Sequence, residues 1–334
     1  MNNKERVLAC LSHQQPDRIP YNIGFTQKAY KRMVEFYDDQ DFASRLNNCL
    51  KIVQTTHKES WKEIEPDIWE DKFGVRWNQS VDKDIGVVCN RTITLDNLKD
   101  YVFPDPETPS RYECYDRVIQ DNADSFIVAD IGFSLFERAW TLAGMENILM
   151  SMIVNPDFIH DLLDRILDYN LNVIANACSH DIDAMLFGDD WGQQTGLLMG
   201  PDLWRQFIKP RVAKMYQAVK ERGKYVIIHS CGKVDEIFPD LIDIGLDMFN
   251  PFQPEVIDVF EIKMKYGETL SFYGGISTQK TLPFGTVQDV KDEVRRLIDD
   301  IGKGGGYIAA PAHAIPGDAK PENIDAMIHI LDNQ

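Results

Sequence analysis

Short apolar runs alternate with longer amphipathic stretches along almost the whole chain, and from residue 125 onward the alternation is regular. Residues 125–131 read as a strand, 135–152 as a helix broken near Gly144, and 156–180 as a second helix. Strand 184–187, helix 201–222, strand 225–228 and helix 234–244 follow, then strand 247–249 and helix 257–266. Strand 270–273, helix 287–302, strand 307–309 and helix 321–331 complete the series. Earlier in the chain, helix 4–13 is stopped by Pro16 and Pro20, and residues 21–25 read as a strand. Residues 27–37 and 42–55 carry helical periodicity, whereas 67–77 and 85–94 alternate like a hairpin. The proline- and acid-rich stretch 101–109 reads as a connector.

Strands that are each followed by a helix pair in parallel, because a parallel neighbour is reached only through a crossover. Seven strand candidates in 334 residues therefore predict a single domain, 1–334, folded as a (β/α)8 TIM barrel, with the hairpin region inserted near the barrel mouth in the amino-terminal third. The eighth strand has no evident signal. A doubly wound sheet with a nucleotide site would want a glycine-rich turn after an early strand, and neither G-x-G-x-x-G nor G-x-x-x-x-G-K-[ST] occurs.

Charge narrows the class of partner. With 35 basic against 53 acidic residues the net charge is −18, which repels nucleic acid and anionic membrane and disfavours a highly anionic substrate unless a local basic pocket intervenes. No apolar run approaches the roughly 20 residues of a membrane span, and the chain opens directly into an amphipathic helix, so a cytoplasmic protein is expected. The six cysteines are scattered without framework spacing, as free thiols of a reducing compartment are.

Polar clusters stand just beyond five of the strand candidates, at the face where such barrels keep their chemistry. They are Gly188 to Gln194, His229-Ser230-Cys231, Asn250 to Glu255, Tyr273 to Ser277, and Pro311 to His313. His229 and Cys231, two apart at the end of a β-branched run, face the same way and can converge on one ion. The plainer reading is a buried strand that happens to end in His and Cys. His313, at the end of another strand, is the candidate third ligand. Of Asp189 and Asp190, one can enter the barrel mouth as a site acid while its neighbour caps a loop; Asp190 and Glu255 are the acid candidates. Gln194 and Gln253 offer hydrogen bonds to a neutral polar substrate, and Trp191 and Tyr273 offer apolar wall, with barrel packing as the alternative for each aromatic.

Several stretches together resemble the uroporphyrinogen decarboxylase superfamily: Pro16-Asp17-Arg18-Ile19-Pro20, His229-Ser230-Cys231-Gly232, Asn250-Pro251-Phe252-Gln253-Pro254-Glu255, and His313 followed by Pro321-Glu322-Asn323. The His-x-Cys element is similar to the corrinoid-dependent zinc methyltransferase branch, in which a downstream Cys completes the ligand set; here His313 stands at that position. The resemblance implies Zn2+ held by His229, Cys231 and His313, and a corrinoid (cobalamin) supplied in trans by a separate corrinoid protein. It also implies a small-molecule methyl donor, with a homodimer as an allowed assembly. The neutral amides and aromatics favour an ether donor, hence an O-demethylase type of methyltransferase. The alternatives are a methylcobalamin:thiol methyltransferase, a uroporphyrinogen decarboxylase, and a binding protein without catalysis. Against the decarboxylase, residues 21–27 contain no arginine to grip a polycarboxylate.

Overall fold

The computed structural model describes residues 1–55 and 61–334. In chain order its strands are β1 (Leu50–Gln54), β2 (Lys62–Glu65), β3 (Ile68–Glu70), β4 (Arg76–Asn78), β5 (Val87–Val88), β6 (Phe126–Phe133) and β7 (Ala184–Gly188). There follow β8 (Gly192–Gln193), β9 (Gly196–Leu197), β10 (Tyr225–His229), β11 (Met248–Phe252), β12 (Ser271–Ile276) and β13 (Tyr307–Pro311). Seven of them form one parallel sheet in the order β1-β6-β7-β10-β11-β12-β13. Residues 20–26 bridge its two edges: Asn22 N donates to Ala309 O and Ala309 N to Pro20 O, while on the other side Cys49 N donates to Tyr21 O. The sheet is thereby curled into an α/β barrel, with helices such as Pro156–Ala177 and Lys209–Lys220 packed outside.

Alternation along the strands separates two cores. Phe126, Val128, Ala184, Ile227, Met248 and Ile308 face inward and form the barrel interior, which Val7, Leu8 and Leu11 of the first helix (Asn3–Leu11) close from below. Their alternate neighbours along each strand, including Ile127, Ala129, Met185, Phe187, Val226 and Ile228, face the helices. The consequence for function is positional. On β10 the inward series Tyr225, Ile227 continues to His229, which lies in register with Gly188 of β7 and Asn250 of β11.

Two expectations are corrected. Residues 42–55 are not a helix: only Phe42–Arg45 makes a 3-10 turn, and β1 is the strand that lacked a signal. Five residues, Leu-Lys-Ile-Val-Gln, fit either period, and pairing with β6 from Leu50↔Phe126 to Gln54↔Asp130 decides the outcome. Residues 21–25 make isolated bridges rather than a continuous strand. There the Asn48 side chain substitutes for a strand partner, accepting from Ile23 N at 2.9 Å and donating to Ile23 O at 3.0 Å. The hairpin region is a four-stranded antiparallel sheet, β2-β3-β4-β5. It is docked on the barrel through Trp77, which stacks on Phe133 at 5.4 Å and on Trp61 at 5.4 Å.

Candidate metal centre

His229 reaches the barrel mouth because β10 ends there, and its tautomer is set by its neighbour across the sheet. Asn250 Nδ2 donates to Tyr273 O at 2.9 Å, which turns Oδ1 toward His229 Nδ1 at 2.6 Å. An acceptor there fixes the proton on Nδ1 and leaves the Nε2 lone pair free for a ligand. Cys231 Sγ stands 3.4 Å from that Nε2, and one ligand atom each from His229, Cys231 and His313 lie within 4.8 Å of one another. Zinc bonds of roughly 2.0–2.1 Å to nitrogen and 2.3 Å to sulfur in a tetrahedron place nitrogen and sulfur about 3.5 Å apart, so the His229–Cys231 pair fits the ion.

Backbone packing holds the thiol in place. A Cβ on Gly232, whose φ is +86°, would stand 2.4 Å from Gly192 C, and Lys233 N donates to Gln193 O at 2.8 Å. The Cys231 loop is thus pressed backbone to backbone against the β8–β9 hairpin, an approach only glycine permits. On its other side Cys231 N donates to Asp190 Oδ1 at 2.7 Å, and the same oxygen lies 3.9 Å from His229 Nε2.

The electrostatics favour a cation. Burial, then the nearby charges of Asp190 and Glu137, push the Cys231 thiol well up from its ordinary value. Desolvation of its ring in the site, and then repulsion from His229, lower His313 although the residue is partly open to solvent, which favours the neutral imidazole that a metal ligand needs. Glu137 is raised by burial and by its neighbours Asp190 and Asp189. Asp189 itself is fully buried and pushed up to about 7 by desolvation, which donors from Glu137 N (2.8 Å), Leu135 N (3.3 Å) and Trp191 Nε1 (2.6 Å) only partly offset. Asp189 therefore caps the helix Phe136–Ala143, while Asp190 faces the site.

His229, His313 and Asp190 line a cavity of about 400 Å3 between the barrel mouth and the inserted sheet. Trp61, Phe73 and Phe133 supply its apolar wall, and Asp130, Glu137, Arg111 and Arg138 its further charge. Arg138 is satisfied, 3.5 Å from Asp71 and 3.9 Å over the Phe73 ring. None of these wall residues stands in the strand-end clusters. Glu137 and Arg138 sit in an otherwise apolar helical run, Phe136-Glu137-Arg138-Ala139-Trp140, and two adjacent charges there are the one signal that marked them.

Four of the proposed substrate residues and one acid lie elsewhere. Trp191 is buried, edge-on to Trp204 at 5.3 Å and bonded to Asp189. Gln194 is exposed at the turn between β8 and β9. Gln253 is buried and accepts from Gly232 N at 3.3 Å. Tyr273 points into the barrel interior, its hydroxyl accepting from Asn22 Nδ2 at 2.9 Å. Glu255 lies in a separate cleft with Lys233 and Arg296, its Oε1 accepting from Ser277 Oγ at 2.5 Å.

The fold and these strand ends define an α/β barrel with a His-Cys-His set that could hold a metal ion at the carboxyl ends of its strands. The family model for uroporphyrinogen decarboxylase (URO-D) matches residues 78–334, and the chain belongs to that family. A 135-residue stretch is 30% identical to the methylcobamide:CoM methyltransferase MtaA of Methanosarcina barkeri, covering 40% of this chain and 38% of the relative. The uroporphyrinogen decarboxylase of Actinobacillus succinogenes is 24% identical over 235 residues, 66% of this chain and 63% of the relative. The chain thus spans less than two thirds of the length of either curated relative. A solved methyltransferase from Methanosarcina mazei superposes over 100% of this chain and 99% of its own with a TM-score of 0.75; at 17% identity this likeness is one of fold. No helix among the described residues is long and apolar enough to cross a membrane.

Proposed function

We propose that this protein is a zinc-dependent methyltransferase that moves a methyl group from a small methoxylated donor to the cobalt(I) of a separate corrinoid protein. The observation that carries the reading is the convergence of one ligand atom each from His229, Cys231 and His313 to within 4.8 Å of one another, with the His229 tautomer held by Asn250. The similarity to a protein whose name is methylcobamide:CoM methyltransferase supports the same reaction class. When bound, zinc supplies Lewis-acid stabilisation of negative charge on a departing oxygen. The chain's own residues do the rest. Trp61, Phe73 and Phe133 pack against the donor and exclude water, while Asp190, accepting from Cys231 N at 2.7 Å, holds the thiol loop at the reacting end. The corrinoid protein docks where the cavity opens, beside the inserted sheet.

The decarboxylase reading meets an electrostatic obstacle. The lining holds three basic side chains, Lys72, Arg111 and Arg138, against four acidic ones, Asp71, Asp130, Glu137 and Asp190, a poor match for a polycarboxylate. The test has two parts. Metal analysis should find near-stoichiometric zinc in the wild type and its loss in His229→Ala and His313→Ala. Mixing the protein with a cobalt(I) corrinoid protein and a panel of methoxylated compounds should then give the methylcobalt spectrum. Zinc retained in both variants, or no methylcobalt with any donor, refutes the proposal; porphyrinogen decarboxylation would revive the alternative.

A further inference from the structure

The hairpin β8–β9 stands outside the cavity and abuts the Cys231 loop. It pairs Gly192↔Leu197 and Gln193↔Gly196, which leaves Gln194 and Thr195 as a two-residue turn. Gln193, Gln194 and Thr195 are exposed, and among the described residues their side chains have no hydrogen-bond partner. From Trp191 to Pro201 the sequence carries no charge, although 26% of the chain is charged, so the tip is a neutral hydrogen-bonding surface on an acidic protein. Four hydrogen bonds tie residues 189–193 to residues 229–233. Asp189 N donates to His229 O at 2.9 Å, Trp191 N to Ser230 Oγ at 3.1 Å, Cys231 N to Asp190 Oδ1 at 2.7 Å and Lys233 N to Gln193 O at 2.8 Å. A Cβ on Gly192 would stand 2.6 Å from Cys231 O, so the two backbones touch. The turn begins two residues beyond Gly192, roughly 7 Å along an extended chain. His313 is itself exposed, so the ligand set can be approached from outside the molecule.

We infer that the β8–β9 tip is a docking surface for the edge of the corrin ring, where Gln193, Gln194 and Thr195 hydrogen-bond its neutral carboxamide arms. The inference rests on the methyl-transfer reading for the identity of the partner and on the hairpin for the place and chemistry of the contact. A corrinoid holds its cobalt at the centre of a flat macrocycle whose rim bears amides. Cobalt brought over a methyl group beside the metal ligands sets that rim to one side of them, and the tip stands at such a place. Amide groups offer both donors and acceptors, so glutamine and threonine side chains can meet them in either sense. Neutral contacts also suit a chain of net charge −18, which would oppose an anionic surface. The backbone ties to residues 229–233 give the tip a second use. They hold it at a fixed distance from Cys231, so a ring seated on it is positioned relative to the ligand set without further ordering of the protein.

The test is titration of the zinc-loaded protein with cobinamide, a free corrinoid that keeps the carboxamide arms and carries neither nucleotide nor protein, followed by its visible absorbance. Wild type should bind it. The double variant Gln193→Ala/Gln194→Ala should bind it about tenfold more weakly, the loss expected of two hydrogen bonds. Gln288→Ala, exposed on the helix Val287–Arg296, should bind it as wild type does. Zinc content and thermal midpoint should match wild type in all of them, since the tip side chains support nothing else in the fold. Absence of cobinamide binding by wild type overturns the inference, and so does affinity that the double variant leaves unchanged. Weaker binding of the whole corrinoid protein by the double variant, with cobinamide bound as before, would assign the tip to the partner's polypeptide and overturn the inference as well. Methylcobalt formed from a methoxylated donor alongside tip-independent cobinamide binding would sink the docking surface and leave methyl transfer standing. Tip-dependent binding of cobinamide without methylcobalt from any donor would do the reverse.

Discussion

The hydrogen bond from His229 to Asn250 allows the metal reading to be tested without touching a ligand. Replacing Asn250 by Ala removes the Oδ1 that accepts from His229 Nδ1 at 2.6 Å and the Nδ2 that donates to Tyr273 O at 2.9 Å. The first loss frees the imidazole to rotate and to place its proton on Nε2, the nitrogen that faces Cys231. Outer-shell partners of this kind are worth about 10- to 100-fold in metal affinity, or about 1.4–2.7 kcal/mol. The second loss leaves the Tyr273 carbonyl without its donor and costs about 1–3 kcal/mol of fold stability. Asn250→Asp separates the two. It keeps an acceptor for His229 and loses the donor for Tyr273, so zinc affinity should stay within a few-fold of wild type while the thermal midpoint falls. Competition against a chromophoric chelator reads the affinity and thermal denaturation the stability. Zinc bound as tightly by Asn250→Ala as by wild type would show that His229 is not a ligand held by this bond.

Zinc binding between pH 7 and 8 should release one proton, because the Cys231 thiol is held above its ordinary value and must ionise, whereas His313 is held below its own and is already neutral. Affinity should therefore fall by about tenfold for each pH unit of acidification in that range; calorimetry in two buffers of different ionisation enthalpy counts the proton, and a count near zero refutes thiolate ligation. Gly232→Ala should weaken zinc binding, since its Cβ would meet Gly192 C at 2.4 Å and displace the Cys231 loop, while Gly24→Ala, with nothing within 4 Å, should leave it unchanged. Trp77→Ala should cost about 3–5 kcal/mol in denaturant unfolding and weaken substrate binding, because Trp77 is buried between Trp61 and Phe133 and carries the inserted sheet. Unfolding unchanged in that variant would mean that the insertion is held by other contacts.

The parts of this protein that were legible in its sequence are those whose position a strand dictates. His229 and Cys231 follow a run of β-branched residues buried on both faces, and His313 follows the strand that ends at Pro311, so a strand period and a strand end suffice to bring them to one face. By the same argument only one of Asp189 and Asp190 could enter the mouth, and it is Asp190 that lines the cavity while Asp189 accepts from Glu137 N. The aromatic and amide candidates stand away from the cavity for a different reason. Trp191, Gln194, Gln253 and Glu255 lie in loops, where a side chain's direction is set by what it meets: Asp189 for the Trp191 indole, Gly232 N for Gln253, Ser277 for Glu255. Tyr273 is a strand residue on the correct face but one layer too deep, among Leu50, Ile227 and Met248. The cavity wall was hidden because the barrel's Phe133 and the helix residues Glu137 and Arg138 meet Trp61 and Phe73 of the inserted region there, and that approach is a tertiary event with no local period.

Charge, taken cavity by cavity rather than over the whole chain, then explains how an acidic protein can host the proposed chemistry. Asp71 is spent on Arg138 and on the Trp77 indole, and Asp130 accepts from Gly132 N at 2.8 Å and Gln54 Nε2 at 2.7 Å. The acids left beside the ligand set are Asp190 and Glu137, and they are the two whose field pushes the Cys231 thiol up. A dication coordinated by two neutral imidazoles and one thiolate carries a net charge of +1, and those carboxylates are placed to balance it.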